Sequence, residues 1–152
     1  MSKPAQLSRR RFISKSAAAG AVVPLFVSSG VLAEPGKPGA NDRIQVGLIG
    51  AGGMGRANLK NCTQHDDVAV TGICDVWKER RETAAAEHGG KPKLYNDYRE
   101  LLDQKDVDAV IIASPPHWHA LMAINACEAG KDIYLQKPMT LHLAESLAVM
   151  GA

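Results

Sequence analysis

The sequence has few cysteines, and their spacing gives them no shared role. Cys62, Cys74 and Cys127 are odd in number and include no C-x-x-C pair. Neither a disulfide framework nor a zinc site is therefore predicted. Each of the three lies among apolar neighbours, which favours small side chains buried in a core.

Acidic residues are missing from the start of the chain, since none precedes Glu34. Five of the 18 basic residues fall within the first 15 positions, which leaves 13 basic and 16 acidic residues after residue 33. This mildly acidic remainder contains no basic stripe. The charge pattern therefore argues against nucleic acid as a partner.

The first 33 residues have the pattern of an export signal. Residues 8–13 (SRRRFI) resemble the twin-arginine signal, and residues 31–33 (VLA) have the small-residue spacing of a cleavage site. The apolar stretch between them is too short and too weakly hydrophobic for a stable membrane anchor, which needs about 20 apolar residues. We expect twin-arginine export to the periplasm or another extracytoplasmic space, with cleavage before Glu34. A basic tail on a cytosolic protein is the alternative.

Residues 34–43 are rich in proline and glycine and predict a flexible linker, after which apolar runs alternate with helical patterns over residues 44–152. Strands are predicted at residues 44–49, 68–74, 93–95, 107–113 and 133–135. Helices are predicted at residues 54–64, 78–88, 97–102, 120–129 and from 141 onward, the third with a capping box of Asp97 and Glu100. This alternation predicts one α/β domain, a Rossmann-like doubly wound parallel sheet with helices on both faces.

The strongest chemical signal is the glycine-rich segment 50–55 (GAGGMG), which follows the first strand directly. Gly50, Gly52 and Gly55 fit the pattern G-x-G-x-x-G, and Gly53 and Met54 complete the turn into the first helix. The three pattern glycines respectively permit a tight turn, let the backbone approach a diphosphate, and let the helix pack against the strand. The helix N-terminus offers unpaired N–H groups to phosphates. In this context the segment predicts a dinucleotide site rather than an ordinary turn.

Asp75 supplies the second part of this dinucleotide pattern. It ends the second predicted strand, 20 residues after Gly55. A carboxylate there can accept hydrogen bonds from an adenosine ribose and would repel a 2′-phosphate, which favours NAD over NADP. Arg80 and Arg81 lie nearby and could soften this preference, although solvated helix charges are the simpler interpretation.

Several separate motifs resemble the Gfo/Idh/MocA family, the group of glucose–fructose oxidoreductase and inositol dehydrogenase. The matching segments are residues 46–55, 74–76 (CDV), 95–102 (YNDYRELL), 108–115 (DAVIIASP) and 136–138 (QKP). The resemblance covers about residues 44–150. It implies a two-domain, homo-oligomeric oxidoreductase that acts on sugars or cyclitols, with its nicotinamide cofactor across the carboxyl ends of the strands. The second, β-rich domain of the family is not found in these 152 residues.

The family has a turn ending in histidine after the fourth strand, and this turn lines the cofactor site. The resemblance therefore assigns Ser114, Pro115 and His119 to cofactor binding, with Ser114 in place of the usual threonine. His117 and His119 could instead be metal ligands, but no third ligand is evident, and no metal is predicted. Trp118 is expected to be a packing residue.

The family motif E-K-P places a lysine near substrate and nicotinamide, which makes Lys137 the candidate catalytic residue and Gln136 a cofactor-binding residue. Lys137 could relay a proton or orient the reacting hydroxyl if burial lowers its pKa. Gln136 stands where the family has glutamate, so a charge is lost. The Lys137-Pro138 bond is expected to be cis.

Three functions remain open at this point. The first is an NAD-dependent oxidoreductase, or its cofactor-binding portion, that transfers hydride to or from sugars or cyclitols. The second is a non-redox enzyme of the same superfamily that uses bound NAD transiently to cleave glycosides. The third is an inactive, truncated nucleotide-binding module, because the family's second domain carries much of the substrate pocket and the absence of that domain would leave apolar surface uncovered.

Overall fold

The computed structural model describes residues 38–39, 42–89 and 91–152, so the predicted export signal lies outside the described residues, as does most of the predicted linker. Within these ranges the chain forms five strands and five helices in alternation. The strands are β1 (Ile44–Ile49), β2 (Val68–Cys74), β3 (Lys93–Tyr95), β4 (Ala109–Ile112) and β5 (Asp132–Leu135). The helices are α1 (Gly53–Cys62), α2 (Lys78–Glu87), α3 (Tyr98–Leu102), α4 (Pro116–Glu128) and α5 (Leu143–Gly151).

The five strands form one parallel sheet in the order β3-β2-β1-β4-β5. Ile49, the last residue of β1, is paired with Cys74 at the end of β2 and with Ile112 at the end of β4. The carboxyl ends of the central strands therefore meet at one edge of the sheet. The order reverses at β1, which is the switch point where open α/β sheets bind ligands.

Helices cover both faces of this sheet, as the sequence predicted. Alternate side chains of the buried strands point to opposite faces, so one face packs against α1 and α2 and the other against α3 and α4. Leu48 and Leu59 are fully buried on the first face, and Leu101 and Ile112 on the second. The predicted doubly wound Rossmann-like fold is confirmed.

The predicted bounds of β1, β2 and β3 are confirmed exactly, whereas β4 and α4 differ from the prediction. β4 is shorter than residues 107–113, and α4 begins at Pro116 rather than at residue 120. Proline fits the first helical position because the N–H group it lacks has no intrahelical partner there. The two prolines therefore end the strand and start the helix at once. As a result, His117, Trp118 and His119 lie on a helix and not in a turn.

Two smaller predictions are corrected as well. Asp97 does cap α3, but its carboxylate accepts a hydrogen bond from Arg99 N, and no reciprocal bond from Glu100 completes a capping box. Cys74 is buried as expected, whereas Cys62 and Cys127 are only partly buried.

The last helix is amphipathic and leaves apolar side chains uncovered. Leu143, Leu147 and Met150 are 78%, 62% and 77% exposed, while Val149 packs against the core. Apolar surface of the kind expected from the sequence is therefore present on α5. None of the helices in the described ranges is long and apolar enough to cross a bilayer.

Candidate cofactor site

The glycine loop joins β1 to α1 with very close backbone packing. Gly50 has φ of +92°, and a Cβ there would lie 2.7 Å from the carbonyl carbon of Ala113. A Cβ at Gly55 would overlap the carbonyl oxygen of Gly50 and lie 3.3 Å from the Ala113 Cβ. Glycine is therefore required at both positions, because the start of α1 packs directly against the ends of β1 and β4 and leaves no room for a Cβ.

Gly52 and Gly53 have the opposite environment, because space is open beside them. A Cβ at Gly52 would meet only Arg80 Nη1, at 3.9 Å, and a Cβ at Gly53 would meet nothing within 4 Å. Gly52 is the N-cap of α1 and supplies no side-chain cap, and the first turn of α1 has no acidic residue. The N-terminus of a ten-residue helix thus faces open space with no acidic side chain in its own first turn, which is an arrangement that suits a diphosphate.

The Asp75 carboxylate connects this loop to the end of β2. Its Oδ2 accepts a hydrogen bond from Ala51 N at 2.8 Å, and its Oδ1 accepts one from Trp77 N at 2.9 Å. The residue is only 8% exposed but lines the cleft described below. Each oxygen has a second lone pair, so the carboxylate can still accept a hydrogen bond from a ligand hydroxyl.

A cleft of about 650 Å³ runs along the carboxyl edge of the sheet, over the ends of β2, β1 and β4. Its lining includes the predicted residues Gly50, Gly52, Asp75, Ser114 and Pro115. It also includes residues that the sequence did not predict for the site, among them Asn96, Asp97, Tyr98, Arg99, Trp118 and Met122. The volume and position suit an extended ligand that crosses the switch point of the sheet.

Four of these lining residues come directly after β3 in the chain. Asn96 to Arg99 follow β3 at the same edge of the sheet where the glycine loop follows β1. The sequence did predict that strand, and the rule that ligands bind at the carboxyl ends of parallel strands was the signal that could have assigned them. Trp118 is 43% exposed and contributes to the cleft wall, so the expectation of a simple packing residue is wrong.

Two side chains at the cleft have distinctive polar environments. The Ser114 hydroxyl is buried and has no hydrogen-bond partner among the described residues, which suits an atom that binds a ligand group. Burial, reinforced by the neighbouring Asp75 carboxylate, raises the pKa of the Cys74 thiol to about 12. Cys74 is therefore an inert part of the cleft wall at neutral pH.

His119 does not line the cleft, which corrects the prediction made for its side chain. The ring is 1% exposed, with Nδ1 2.8 Å from the Pro138 carbonyl oxygen and Nε2 2.8 Å from the Ser114 carbonyl oxygen. Both nitrogens face backbone carbonyl oxygens because α4 begins early and turns this side chain inward. Met54, by contrast, is 55% exposed and also stays outside the cleft lining.

Gln136 and Lys137 follow β5 and lie outside the cleft lining as well. Gln136 Oε1 accepts a hydrogen bond from the backbone N–H of Lys137 at 2.7 Å, so it contacts the main chain and not the ammonium group. Lys137 is exposed, and the described residues do not supply the burial that the proton-relay hypothesis requires. The Lys137-Pro138 bond is cis, as expected.

Arg80 lies beside the open face of the glycine loop. Its guanidinium is stacked over the Trp77 ring, 4.7 Å from the ring centroid, and it borders both the main cleft and a smaller depression of about 370 Å³ next to Gly53. The positive charge is therefore held close to the space where phosphate groups would approach. Across the described part of the chain, no group of three or more His, Cys, Asp or Glu side chains is placed to hold a metal ion.

Comparison with known proteins agrees with this geometry. Residues 44–151 match the family model described as "Oxidoreductase family, NAD-binding Rossmann fold", that of the Gfo/Idh/MocA proteins. A "Glycosyl hydrolase family 109 protein" of Shewanella pealeana is 33% identical over 92% of this chain and 35% of its own length.

Solved structures of sugar and cyclitol dehydrogenases are also similar. The myo-inositol dehydrogenase of Lactobacillus casei, solved with NAD(H) and myo-inositol, is 29% identical with a TM-score of 0.68, over 72% of this chain and 32% of that one. The WlbA dehydrogenase of Bordetella pertussis, solved with NADH and UDP-GlcNAcA, is 27% identical with a TM-score of 0.68, over 72% of this chain and 33% of that one.

The chain spans about a third of the length of these relatives. The part that the family model matches, residues 44–151, contains the sheet with the glycine loop, the Asp75 carboxylate and the cleft at the carboxyl ends of the strands. On these grounds the chain belongs to the Gfo/Idh/MocA oxidoreductase family and comprises its NAD-binding Rossmann-fold domain.

Proposed function

We propose that this chain is the cofactor-binding portion of an NAD-dependent oxidoreductase that acts on sugars or cyclitols by hydride transfer. The observation that carries the proposal is the open N-terminus of α1 at Gly52 and Gly53, with the Asp75 carboxylate at the same cleft. Open backbone N–H groups suit a diphosphate, and a neighbouring carboxylate suits the two hydroxyls of a ribose.

The same arrangement supports NAD in preference to NADP. Asp75 is fixed by hydrogen bonds from Ala51 N and Trp77 N and cannot easily turn away from the ribose position. A 2′-phosphate would meet this carboxylate at close range, and the repulsion would weaken NADP binding. Arg80 opposes this preference, because its stacked guanidinium could pair with such a phosphate.

The order of the strands supports an orientation for the two halves of the cofactor. With the diphosphate at the end of β1, the adenosine lies towards β2 and β3, and the nicotinamide lies towards β4 and β5. Ser114 and Pro115 are on the nicotinamide side, where the bound cofactor supplies the carbon that exchanges hydride with substrate. Lys137 follows β5 on this side and would orient the reacting hydroxyl or hold its proton once substrate and the rest of the pocket surround it.

The substrate class is proposed from the neighbours. Two of them carry myo-inositol or a nucleotide-linked sugar derivative in their crystal structures, and both types of ligand are polyhydroxylated rings. A second candidate is a redox-neutral glycosidase that uses NAD transiently, favoured by the 33% identity to a glycosyl hydrolase family 109 protein. Gln136-Lys137-Pro138 retains the lysine and proline of the oxidoreductase motif, which favours the first candidate.

We also propose that residues 1–33 direct export by the twin-arginine route. The match to the Shewanella pealeana protein covers 92% of the chain, more than residues 34–152 contain, so the similarity extends into residues 1–33. Replacing Arg9 and Arg10 together by lysine should leave the protein in the cytoplasm of a bacterium with a working twin-arginine pathway. Arg11→Lys is the matched control and should still be exported. Export of the double variant, measured by cell fractionation, would refute the assignment.

Binding of the cofactor can be tested directly by titration calorimetry with NAD⁺ and NADP⁺. We expect NAD⁺ to bind more tightly. Gly52→Ala should weaken its binding about tenfold or more, because the added methyl lies where the diphosphate approaches. Gly151→Ala is the matched control, since a Cβ there meets nothing within 4 Å and lies at the end of α5. Absence of NAD⁺ binding to the parent protein would refute the proposed function and favour an inactive module.

The two catalytic candidates differ in their products. A chain supplied with NAD⁺ and myo-inositol should form NADH if it is a complete dehydrogenase, which absorbance at 340 nm would report. Release of sugar from an aryl glycoside without net NADH formation would favour the glycosidase. If neither reaction occurs although NAD⁺ binds, the chain is a cofactor-binding portion that depends on a further domain.

A further inference from the structure

The His119 imidazole bridges two loops that the sequence keeps apart. Its ring nitrogens are each 2.8 Å from a backbone carbonyl oxygen, that of Ser114 after β4 and that of Pro138 after β5. Carbonyl oxygens only accept hydrogen bonds, so the imidazole must be the donor. It donates to both loops at once only when both ring nitrogens carry a proton, whereas a neutral ring donates to one carbonyl oxygen and is in close contact with the other. At 1% exposure, water has little access to replace these contacts.

Both carbonyl groups belong to segments that carry reactive or ligand-facing groups. The Ser114 side chain lines the cleft with a buried hydroxyl that has no partner in the described structure. Pro138 directly follows Lys137, the candidate for hydroxyl orientation. A side chain that fixes these two backbone segments therefore sets the distance between the Ser114 hydroxyl and the loop that bears Lys137.

The position of these loops in the sheet makes the effect local to one end of the cleft. β4 and β5 lie on one side of β1, whereas Asp75 and Asn96 follow β2 and β3 on the other side. A ligand group near Ser114 is thus separated from the ribose site by the whole glycine loop. A change at His119 should be felt by the half of a dinucleotide that lies over β4 and β5, and not by the adenosine diphosphate half.

We propose that His119 is a positioning residue that holds the Ser114 and Lys137-Pro138 loops in the arrangement that receives the nicotinamide half of the cofactor. This inference rests on the proposed function for the identity of the ligand. It acts through the two backbone carbonyl groups, and the ring itself stays out of contact with the ligand.

The test compares the affinity for NAD⁺ with the affinity for ADP, which lacks the nicotinamide half. His119→Gln retains a donor that can reach one carbonyl, and His119→Phe retains none, so the loss should be larger for phenylalanine. We expect roughly a fivefold to tenfold weaker NAD⁺ binding for the glutamine variant, because its amide can reach one loop while the contact with the other loop is lost, at about the cost of one hydrogen bond. ADP binding should remain within about twofold of the parent value. Equal loss for both ligands, or no loss for either, would overturn the proposal.

His117→Gln is the matched control, because it is the same substitution on the same helix at an exposed position. Neither affinity should change in that variant. If the phenylalanine variant does not fold, the glutamine variant and its control still decide the question.

A second measurement separates this inference from the proposed function, because it needs no ligand. Amide hydrogen exchange at Lys137, Met139 and Thr140 should be faster in His119→Gln than in the parent, while exchange in β1 stays unchanged. Unchanged exchange in the 137–140 segment would refute the positioning role even if NAD⁺ binds well. If the parent protein does not bind NAD⁺ but exchange in this segment is still faster in His119→Gln than in the parent, the loop-holding role is retained and the cofactor assignment is rejected.

Discussion

Replacing Gly55 by alanine perturbs the closest backbone approach in the glycine loop. The added Cβ would overlap the Gly50 carbonyl oxygen and lie 3.1 Å from the Gly50 carbonyl carbon. Gly50 cannot move away, because its own Cα is packed against the Ala113 carbonyl group and it has φ of +92°. The clash must therefore be relieved by moving α1 away from the end of β1.

The magnitude follows from two opposing effects. Alanine is favoured over glycine in a helix by about 1 kcal/mol. Inserting a methyl group into closely packed surroundings costs about 1–3 kcal/mol, and the upper end applies here because the opposing atoms belong to the backbone. We expect a net loss of about 2 kcal/mol in the free energy of unfolding, which corresponds to roughly 8–10 °C in Tm for a folded region of this size.

Thermal and urea unfolding followed by circular dichroism measure this loss. Gly53→Ala is the matched control, because it adds the same methyl group two residues earlier on the same helix and meets nothing within 4 Å. Its free energy of unfolding should stay within about 0.5 kcal/mol of the parent value. Equal stability of the Gly55 and Gly53 variants would show that the helix does not start against the end of β1, and the geometry on which the diphosphate site depends would be wrong.

Two further predictions concern ionisable groups. Because burial raises the pKa of Cys74 to about 12, this thiol should remain unmodified by iodoacetamide at pH 8. The partly exposed Cys62 and Cys127 should react under the same conditions. Prompt labelling of Cys74, detected by peptide mass spectrometry, would contradict this expectation. The backbone N–H of Arg99 holds the pKa of Asp97 in the folded state below its ordinary value of 3.8. The ionised carboxylate therefore stabilises the folded state above pH 3.8, and this stabilisation is lost as the pH falls through the lowered pKa of the folded state. Asp97→Asn should therefore cost more stability at pH 7 than in strong acid, and urea unfolding with the reverse order would refute the assignment.

The parts of the fold that the sequence predicted best are those where one strong local pattern acts alone. β1 and β2 are largely apolar runs bounded by glycine or by charged residues, and both were predicted to the residue. The glycine segment and Asp75 were predicted for the same reason, since each follows such a strand directly. The distance between Asp75 Oδ2 and Ala51 N, 2.8 Å, brings the two predicted halves of the site together.

The parts that the sequence did not predict depend on contacts between distant segments. Pro116 is compatible both with the end of a strand and with the start of a helix, and only the packing of α4 on the sheet decides between them. Once α4 begins there, His119 points inward, towards a carbonyl group 19 residues later in the chain. No local pattern specifies that contact. A family resemblance at His119 identified the residue but not its environment.

One type of interaction recurs along the cleft, namely a side chain that hydrogen bonds to the backbone of a neighbouring loop. Arg81 donates to the Asp75 carbonyl oxygen and to Asn96 Oδ1, which joins the loops after β2 and β3. Asp75 accepts from Ala51 N, which joins the loops after β2 and β1. Loops that are fixed in this way do not need to become ordered when a ligand binds, so less conformational entropy is lost on binding.

On the other side of β1 the same principle applies with different chemistry. The loops after β1 and β4 are joined by the close approach of Gly50 to Ala113, and those after β4 and β5 by the His119 ring. The carboxyl ends of all five strands are thus connected, each to its neighbour in the sheet. Among the described residues, His119 is the only side chain that bridges the loops after β4 and β5, whereas two side chains bridge the loops on the ribose side. Because one side chain forms this bridge and does not contact the ligand, a substitution at His119 should separate the two halves of the cofactor site more cleanly than a substitution at Asp75, which holds the glycine loop and would also contact the ligand.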